Sequence, residues 1–381
     1  MIYFDNNSTT PLDKNILELL TPFLANQFGN ASSRHHAMGW SADEVVKQAR
    51  IKIANLINAD EQQVFFTSGA TESINLVLKG VYESNQDKGK HIITVKTEHS
   101  AMLDTCEFLA SKGAEITYLN VDKNGLIDLL DLESHVRKDT ILISVMAVNN
   151  ETGIIQPISE IAKIAQNNNV LFLSDATQAV GKMPIDVSKL GIDFLVWSAH
   201  KMYGLKGVGA VYIKRKSPRI KITPLLHGGG HERGIRSGTL NVPAIFTFGE
   251  ASSIAQKNIE NDSKTIGKMR DYLEMELLKI PNTEINGVGA NRLYNVTNIK
   301  FQGVDSEAFL MGINDRLCAS NGSACTSASL NPSHVLIAMG LNEDDSFASI
   351  RFSLGHYNTM DEVEQSINII KSTIEKLRFF V

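Results

Sequence analysis

Strand-like and helix-like segments alternate through most of the first 250 residues, and this alternation is the feature that most constrains the fold. Six short apolar runs have the composition of strands; they begin at Val64, His91, Ile141, Val170, Phe194 and Gly209. Continuous apolar runs suit strands that are covered on both faces. Helical segments separate most of the runs, so the pattern predicts βαβ units around a mainly parallel sheet, which is an α/β fold.

The helical segments carry both start signals and apolar periodicity. Ser41 and Glu44 fit a capping box at the start of a helix, and apolar residues recur after them at helical spacing. A long charged segment of helical period follows Ala251, and short strands such as YNVTNIKF come after it. The final MDEVEQSINIIKSTIEKLRFF predicts an amphipathic helix, whose apolar stripe is Val363, Ile367, Ile370 and Ile374.

Chain length and composition limit the class of protein. A chain of 381 residues exceeds the size at which one hydrophobic core usually stops growing. We therefore expect a large α/β domain over residues 15–255, and a smaller α+β domain made of residues 1–14 and 256–381. A net charge of −5 argues against a protein that binds nucleic acid directly.

Three cysteines in a chain of this length are no disulfide framework, which indicates a reducing compartment. The N-terminal residues lack the pattern of a signal peptide, and no run approaches 18 apolar residues. We therefore expect a soluble cytoplasmic protein that does not enter the membrane.

Three polar clusters follow predicted strands, where ligands gather in open α/β sheets. In FFTSGATES, small hydroxyl residues and a glycine lead from a strand into a helix, which suits a phosphate; an ordinary helix cap is the commoner interpretation of such a stretch by itself. In the second cluster, Asp175 ends the strand that begins at Val170. Its carboxylate either contacts a ligand or takes part in a salt bridge or helix cap. Lys201 follows the third strand, where burial beside another cation would make its amine a usable nucleophile.

The three clusters together supply what pyridoxal phosphate requires of a protein. A lysine binds this cofactor covalently, a carboxylate pairs with the pyridinium nitrogen, and a helix N-terminus holds the phosphate. His99, which follows another strand, could stack on the ring, although a histidine at such a position is more often structural.

Cys325 lies in SNGSACTSASLNPSHV, a run of small polar residues that predicts neither a helix nor a strand. A thiol that packs in a core should have apolar neighbours, so Cys325 is either an incidental loop thiol or an exposed, reactive one. The small residues favour a mobile cysteine loop over about residues 320–332. Cys106 and Cys318 have apolar settings, and we expect both to be buried.

Two further motifs allow more than one interpretation. Arg351 in IRFSLG offers a planar fork for a carboxylate, but a solvated surface arginine is the more frequent case. In HGGGHERG, the residues His227, His231 and Glu232 have the types of metal ligands. Three consecutive glycines provide no rigid helix to present such ligands, so we predict no metal site.

Long motifs in order along nearly the whole chain resemble the cysteine desulfurases of the NifS/IscS type, which are pyridoxal phosphate enzymes of the class V aminotransferase family. The motifs are FDNNSTTPL, TSGATESIN, EHSAML, AVNNETGIIQPI, DATQAVGK, SAHKMYGLKGVGA, HGGGHERGIRSGTLNVP, SNGSACTSASLNPSHVL and IRFSLG. The resemblance implies the type I aminotransferase fold and favours the functional interpretation of each cluster. The cysteine motif and its following loop are similar to the long-loop group, with Asn321 where a serine is usual.

Matched position by position, the resemblance implies catalytic roles for three residues: Lys201 binds the cofactor covalently, His99 lies over its ring as an acid or base, and Cys325 receives the sulfur. The other implied cofactor contacts are Asp175 to the pyridinium nitrogen, Ala70, Thr71, Ser198 and His200 to the phosphate, Asn150 and Gln178 to the cofactor and its phenolic oxygen, and Thr239 to the phosphate of the neighbouring subunit's cofactor. Arg351 and Asn150 would bind the substrate. The role of Thr239 implies a homodimer.

The resemblance implies conversion of L-cysteine to L-alanine, with the sulfur held on Cys325 as a persulfide and then passed to an acceptor. That acceptor would be an iron–sulfur scaffold, a tRNA-thiolating enzyme or a nitrogenase assembly system. A related class V aminotransferase or selenocysteine lyase is a second hypothesis, and a sulfur-carrier protein without catalysis is a third. The joint presence of Lys201, Asp175, His99 and Cys325 argues against the third.

Overall fold

The computed structural model describes residues 1–321 and 331–379. Its strands are β1 Ile2–Tyr3, β2 Val64–Thr67, β3 His91–Val95, β4 Glu115–Leu119, β5 Thr140–Ser144, β6 Leu171–Asp175, β7 Phe194–Ser198, β8 Gly209–Ile213, β9 Thr283–Ile285, β10 Val296–Phe301, β11 Leu317–Cys318 and β12 Ser349–Ser353. Its helices are α1 Lys14–Asn26, α2 Ala37–Leu56, α3 Ala70–Ser84, α4 Ser100–Ala110, α5 Leu129–His135, α6 Ile158–Asn167, α7 Val187–Leu190, α8 Val242–Leu277, α9 Ser306–Ile313, α10 His334–Ala338, α11 Glu343–Phe347 and α12 Met360–Phe379.

A seven-stranded sheet in the order β2-β8-β7-β6-β5-β3-β4 forms the centre of the molecule. Strands β3 to β7 pair in parallel, whereas β8 lies antiparallel between β2 and β7. The prediction of an α/β fold with a mainly parallel sheet is confirmed, and all six predicted apolar runs form strands of it. Strand β4 escaped prediction because most of its residues are partly exposed, so it has no continuous apolar run.

The register of this sheet brings the three polar clusters to one edge. Thr67 at the end of β2 pairs with Gly209, and Gly209 pairs in turn with Ser198 at the end of β7. Asp175 ends β6 beside Val196 of β7. The phosphate motif, the carboxylate and the lysine segment therefore follow strand ends that lie on the same side of the sheet.

The predicted capping box at Ser41 is wrong. Helix α2 begins four residues earlier, at Ala37, and the ring nitrogen of His36 accepts the backbone N–H of Gly39. The hydroxyl of Ser41 donates instead to the side-chain oxygen of Gln27, 2.9 Å away. The Ser41 hydroxyl thus bonds to Gln27 instead of capping a helix, and His36 is the N-cap residue of α2.

A second, smaller sheet contains β10 between β9 and β12, all antiparallel. It packs with α9 and α12 around an apolar cluster that includes Phe301, Phe309, Phe352 and the predicted stripe of α12. Phe4 and Ile2 near the N-terminus belong to the same cluster, because β1 pairs in parallel with β11. The proposed division at residue 255 falls within α8, whose first half packs on the large sheet's cluster and whose last turns pack on this one.

In the described part of the chain, no helix is both long enough and apolar enough to cross a membrane.

Candidate active site

A cavity of about 240 Å³ lies at the strand ends described above, and it gathers most of the predicted site residues. Ten of them line it: Ala70, Thr71, His99, Asn150, Asp175, Gln178, Ser198, His200, Lys201 and Arg351. Asn7 and Ser8 complete its wall, together with several apolar side chains. Segments far apart in sequence therefore meet in one pocket.

The N-terminus of α3 is an anion-binding geometry. Gly69 is its N-cap residue and supplies no side-chain cap, so the first N–H groups of the helix are not satisfied in the usual way. The Ser198 hydroxyl accepts the backbone N–H of Ala70 at 2.7 Å, which ties this turn to the end of β7. The N–H groups of a helix's first turn, together with the positive end of the helix dipole, suit a phosphate.

Close packing holds this turn against the sheet. A Cβ at Gly209 would lie 2.6 Å from the Cα of Gly69 and 2.7 Å from the carbonyl oxygen of Trp197. Glycine at position 209 thus lets β8 approach the turn before α3. The position of the anion site depends on that approach.

Asp175 places a carboxylate in the pocket wall. The residue is buried, and its Oδ1 accepts the backbone N–H of Thr177 at 2.9 Å. A buried carboxylate gains from a cationic partner. A protonated ring nitrogen in the pocket would provide one.

Lys201 extends from a short 3-10 turn that follows β7 toward the N-terminal segment. Its Nζ donates to the backbone carbonyl oxygens of Asn7, at 2.7 Å, and of Ser8. Both of these acceptors are neutral. Neighbouring His200 has its pKa lowered to about 4 by burial and by nearby Lys201, Lys206 and Lys182, so its imidazole is neutral at physiological pH.

His99 is fixed at the N-terminus of α4. Its Nδ1 accepts the backbone N–H of Ala101 at 3.1 Å. That bond requires a lone pair on Nδ1, so the neutral ring carries its proton on Nε2. A histidine with a set tautomer and ring position lines the cavity.

Arg351, on β12, is buried in the wall of the pocket. Its Nη1 donates to the backbone oxygen of Asn150 at 3.0 Å, and its Nη2 pairs with Asp5 at 2.8 Å. Its Nε has no hydrogen-bond partner within the described residues. The guanidinium is therefore held in place while retaining a donor for a further anion.

Asn7 and Ser8 are site residues that the sequence did not reveal as such. Asn7 offers its backbone oxygen to Lys201 and to Gln178 Nε2, and its side chain contacts Lys182 and Asn295. The only local signal is a polar run, DNNSTT, that follows a short apolar stretch. Its partners lie more than 100 residues away, so no sequence period points to them.

One predicted site residue, Thr239, lies apart from this pocket: it is exposed and does not line the cavity. Cys325 falls outside the described residues, as do all residues from 322 to 330 of the predicted loop over about 320–332. The other cysteines differ: Cys106 is buried as predicted, whereas Cys318 is only partly buried because the two-stranded pair of β1 and β11 leaves one side open.

The residues present fit pyridoxal phosphate. The pocket offers a primary amine, a buried carboxylate, a histidine of set tautomer and a helix N-terminus without a side-chain cap, which match the amine, ring nitrogen, ring face and phosphate contacts of this cofactor. Within residues 1–321 and 331–379, no group of three or more His, Cys, Asp or Glu side chains is arranged to hold a metal.

Comparison with known proteins places the chain in a family. The class V aminotransferase model matches residues 2–365, so the chain belongs to the class V aminotransferases, which use pyridoxal phosphate. It is 48% identical to the cysteine desulfurase IscS of Histophilus somni, over 99% of this chain and 93% of that protein.

Two solved structures agree in fold. A NifS-like protein superposes with a TM-score of 0.91 at 37% identity and covers 99% of both chains. SspA in complex with cysteine superposes with a TM-score of 0.83 at 36% identity, over 94% of this chain and 100% of that one. These similarities confirm the predicted type I aminotransferase fold.

Proposed function

We propose that this protein is a cysteine desulfurase, which converts L-cysteine to L-alanine and holds the sulfur on Cys325 as a persulfide. The observation that carries the proposal is the pocket in which Lys201, Asp175 and His99 meet at the N-terminus of α3. The cysteine desulfurase relatives and the cysteine complex of SspA support the choice of substrate.

The pocket residues divide the work of binding between them. The α3 N-terminus with Ser198 would hold the cofactor phosphate, Asp175 would keep the ring nitrogen protonated, and Gln178 would contact the ring oxygen. When bound, the cofactor supplies an electron sink for negative charge that develops at the substrate carbon. Arg351, already held by Asn150 and Asp5, orients the substrate carboxylate.

Proton movements fall to Lys201 and His99. The amine of Lys201 takes the proton that leaves the substrate Cα, and Nε2 of His99 exchanges a proton on the side of the substrate sulfur. Because Nδ1 of His99 accepts the backbone N–H of Ala101, only Nε2 is available for that proton exchange.

The sulfur then moves from substrate to protein. The thiolate of Cys325 attacks the substrate sulfur, an S–S bond forms and the C–S bond breaks. The pair of electrons from the C–S bond stays on carbon, which takes up a proton and leaves as L-alanine. The carbon is reduced and the two sulfur atoms share the oxidation, so no external oxidant is needed.

Replacement of Cys325 tests the proposal. We expect Cys325→Ala to abolish protein-bound persulfide while the near-visible absorbance of the cofactor persists. Persulfide is detected by a thiol-reactive label and mass spectrometry, and alanine and sulfide are measured together. Cys318→Ala is the matched control and should retain persulfide on Cys325; persulfide on the Cys325→Ala protein would contradict the assignment. Turnover of selenocysteine, or of an amino acid with a keto-acid acceptor, separates the related activities.

We further propose that two copies form a homodimer in which Thr239 reaches the phosphate site of the neighbour. Thr239 is exposed and lies away from the pocket of its own chain. The same loop borders a groove of about 820 Å³ that includes Trp40, and Trp40 is 60% exposed. Tryptophan is enriched at protein–protein interfaces, so the exposed Trp40 supports a contact between subunits here.

An iron–sulfur scaffold or a tRNA-thiolating enzyme would take the sulfur in the cytoplasm. Transfer of labelled sulfur from cysteine to each candidate acceptor, measured with the purified dimer, identifies the partner. A persulfide within a run of small residues would suit several acceptors, so we expect the protein surface to set the choice.

A further inference from the structure

Lys182 is a buried amine that the mechanism above leaves without a role. The residue is 7% exposed and lies four residues after Gln178. Its Nζ donates to Gln178 Oε1 at 2.6 Å and contacts Asn7 Oδ1 at 3.4 Å, and both acceptors are neutral. Lysines are almost never buried to this degree without a charged partner.

Burial is the main cause that lowers the pKa of Lys182, to about 7. Within the described residues, the charges that add to this shift are both positive and belong to Lys201 and Arg351. The charge of Lys182 also acts on His200, whose pKa is lowered to about 4, so that its imidazole is neutral at physiological pH. Across the described residues, no carboxylate forms an ion pair with Lys182, and the undescribed residues 322–330 contain no Asp or Glu.

Lys182 is connected to the pocket through Gln178 and Asn7. The Gln178 side chain donates from Nε2 to the Asn7 backbone oxygen at 2.9 Å, and its Oε1 accepts from Lys182. The same Asn7 oxygen accepts from Lys201. Lys182 therefore fixes the orientation of the Gln178 amide, with Oε1 toward Lys182 and Nε2 toward Asn7. Lys182 and Lys201 also both donate to Asn7.

An anionic ligand oxygen would supply the missing countercharge. Of the three anionic groups that the proposed ligands bring, the phosphate goes to α3 and the substrate carboxylate goes to Arg351. The ring oxygen of the cofactor remains, and it lies by Gln178 in the proposed binding mode. We propose that Lys182 is a positioning cation that is protonated when the anionic ring oxygen of the cofactor binds, and that it holds Gln178 for that oxygen. This inference rests on the proposed cofactor.

The pocket without cofactor and the pocket with bound cofactor should hold different numbers of protons. An added negative charge nearby favours the protonated form of Lys182 and raises its pKa. Binding of the cofactor near pH 8 should therefore take up protons in the wild type, by up to about one per site more than in a variant without the amine. The advantage of the wild type in cofactor affinity should be greatest below pH 7 and should shrink as the pH rises.

Three variants separate charge from hydrogen bonding. Lys182→Met removes both, Lys182→Gln keeps a donor without the charge, and Lys182→Arg keeps the charge. Pyridoxal phosphate is titrated into the apoprotein by calorimetry in buffers of different ionisation enthalpy, between pH 6.5 and 9.5. We expect Lys182→Met and Lys182→Gln to weaken binding by about tenfold at pH 7 and to lose the extra proton uptake, with Lys182→Arg restoring affinity.

The apoprotein provides a readout that a structural role would not give. Removal of an uncompensated buried charge should leave the melting temperature of apo Lys182→Met equal to or higher than that of the wild type at pH 7. A residue needed only for folding would lower both the melting temperature and the affinity, and that result would overturn the inference. Proton uptake equal in wild type and Lys182→Met would also overturn it.

Ligand controls identify the anion. Pyridoxal, which lacks the phosphate, should retain the difference in proton uptake, and inorganic phosphate alone should show none. If phosphate alone reproduces the difference, the ring oxygen is the wrong partner. A wild-type protein that fails to bind pyridoxal phosphate at all would instead contradict the proposed function.

Discussion

Glu98, next to His99, combines complete burial with an unusual hydrogen-bond pattern. Its Oε1 accepts the backbone N–H of Met146 at 2.5 Å, whereas Oε2 has no partner within the described residues. Burial, with a smaller contribution from nearby Asp175, raises the pKa of Glu98 well above its usual range. The carboxyl of Glu98 is therefore held as a neutral acid.

The raised pKa of Glu98 predicts a pH dependence of stability. The unfolded chain releases this proton near pH ~4.3 while the folded chain keeps it, so the contribution of Glu98 falls as the pH rises above that value. For one proton the slope is at most about 1.4 kcal/mol per pH unit. Glu98→Gln, which preserves shape and the Met146 contact, should remove this fall and be more stable than wild type at pH 7.

Urea unfolding of both proteins between pH 4 and 8 checks this expectation. The two midpoints should converge near pH 4 and separate as the pH rises. Parallel curves over the whole range would mean that Glu98 is ionised in the folded protein.

Site residues near strand ends could be predicted from the sequence. Asp175 ends one apolar run and Lys201 follows another, so parallel pairing of the two strands puts both residues at the same edge of the sheet. Asn7, Lys182 and Glu98 were not accessible in this way. Their significance arises from burial and from partners distant in the chain, and neither leaves a local pattern.

At the scale of elements, the antiparallel strand β8 positions the anion site. Gly209→Ala would force its new Cβ against the Gly69 backbone, so we expect a loss of about 1–3 kcal/mol in stability together with about tenfold weaker cofactor binding. Absorbance titration of the apoprotein measures the affinity, and urea unfolding measures the stability.

Gly249→Ala is the matched control. Its Cβ would lie 2.6 Å from the Cα of Ala49, in the contact between α2 and α8 and away from the pocket. We expect a similar loss of stability with unchanged cofactor affinity. Equal weakening of cofactor binding by both substitutions would attribute the effect to general destabilisation.

Elements were more predictable than their ends. The apolar runs and the stripe of α12 predicted buried strands and a helix, because burial on a regular face imposes a period on the sequence. The start of α2 was predicted wrongly because Ser41 has a tertiary partner in Gln27. The first turns of α8 were missed for a related reason: they are apolar and buried, unlike the charged remainder of the helix.

At the scale of the whole molecule, the proposed exchange of Thr239 predicts complementation between subunits. Thr239→Ala and Lys201→Ala homodimers should both be impaired. A purified heterodimer of one subunit of each kind has one site with Lys201 intact and Thr239 supplied by the neighbour. That heterodimer should have about half of the wild-type activity per dimer.

Differently tagged subunits and two-step purification give the heterodimer for a cysteine turnover assay. A heterodimer of wild-type and Lys201→Ala subunits is the control and should show the same half activity. If the mixed heterodimer has only about half the activity of the Thr239→Ala homodimer, Thr239 acts within its own subunit. A monomer in sedimentation analysis would contradict the arrangement itself.

The N-terminal wall of the pocket has a consequence for biosynthesis. Asn7 is held by the Ser353 hydroxyl through its backbone N–H at 2.9 Å, and the strand before it pairs with residues 317 and 318. A ribosome makes Ser353 346 residues after Asn7. A nascent chain therefore carries Lys201 long before it can finish the wall around it, and a competent pocket forms only after Ser353 has been made.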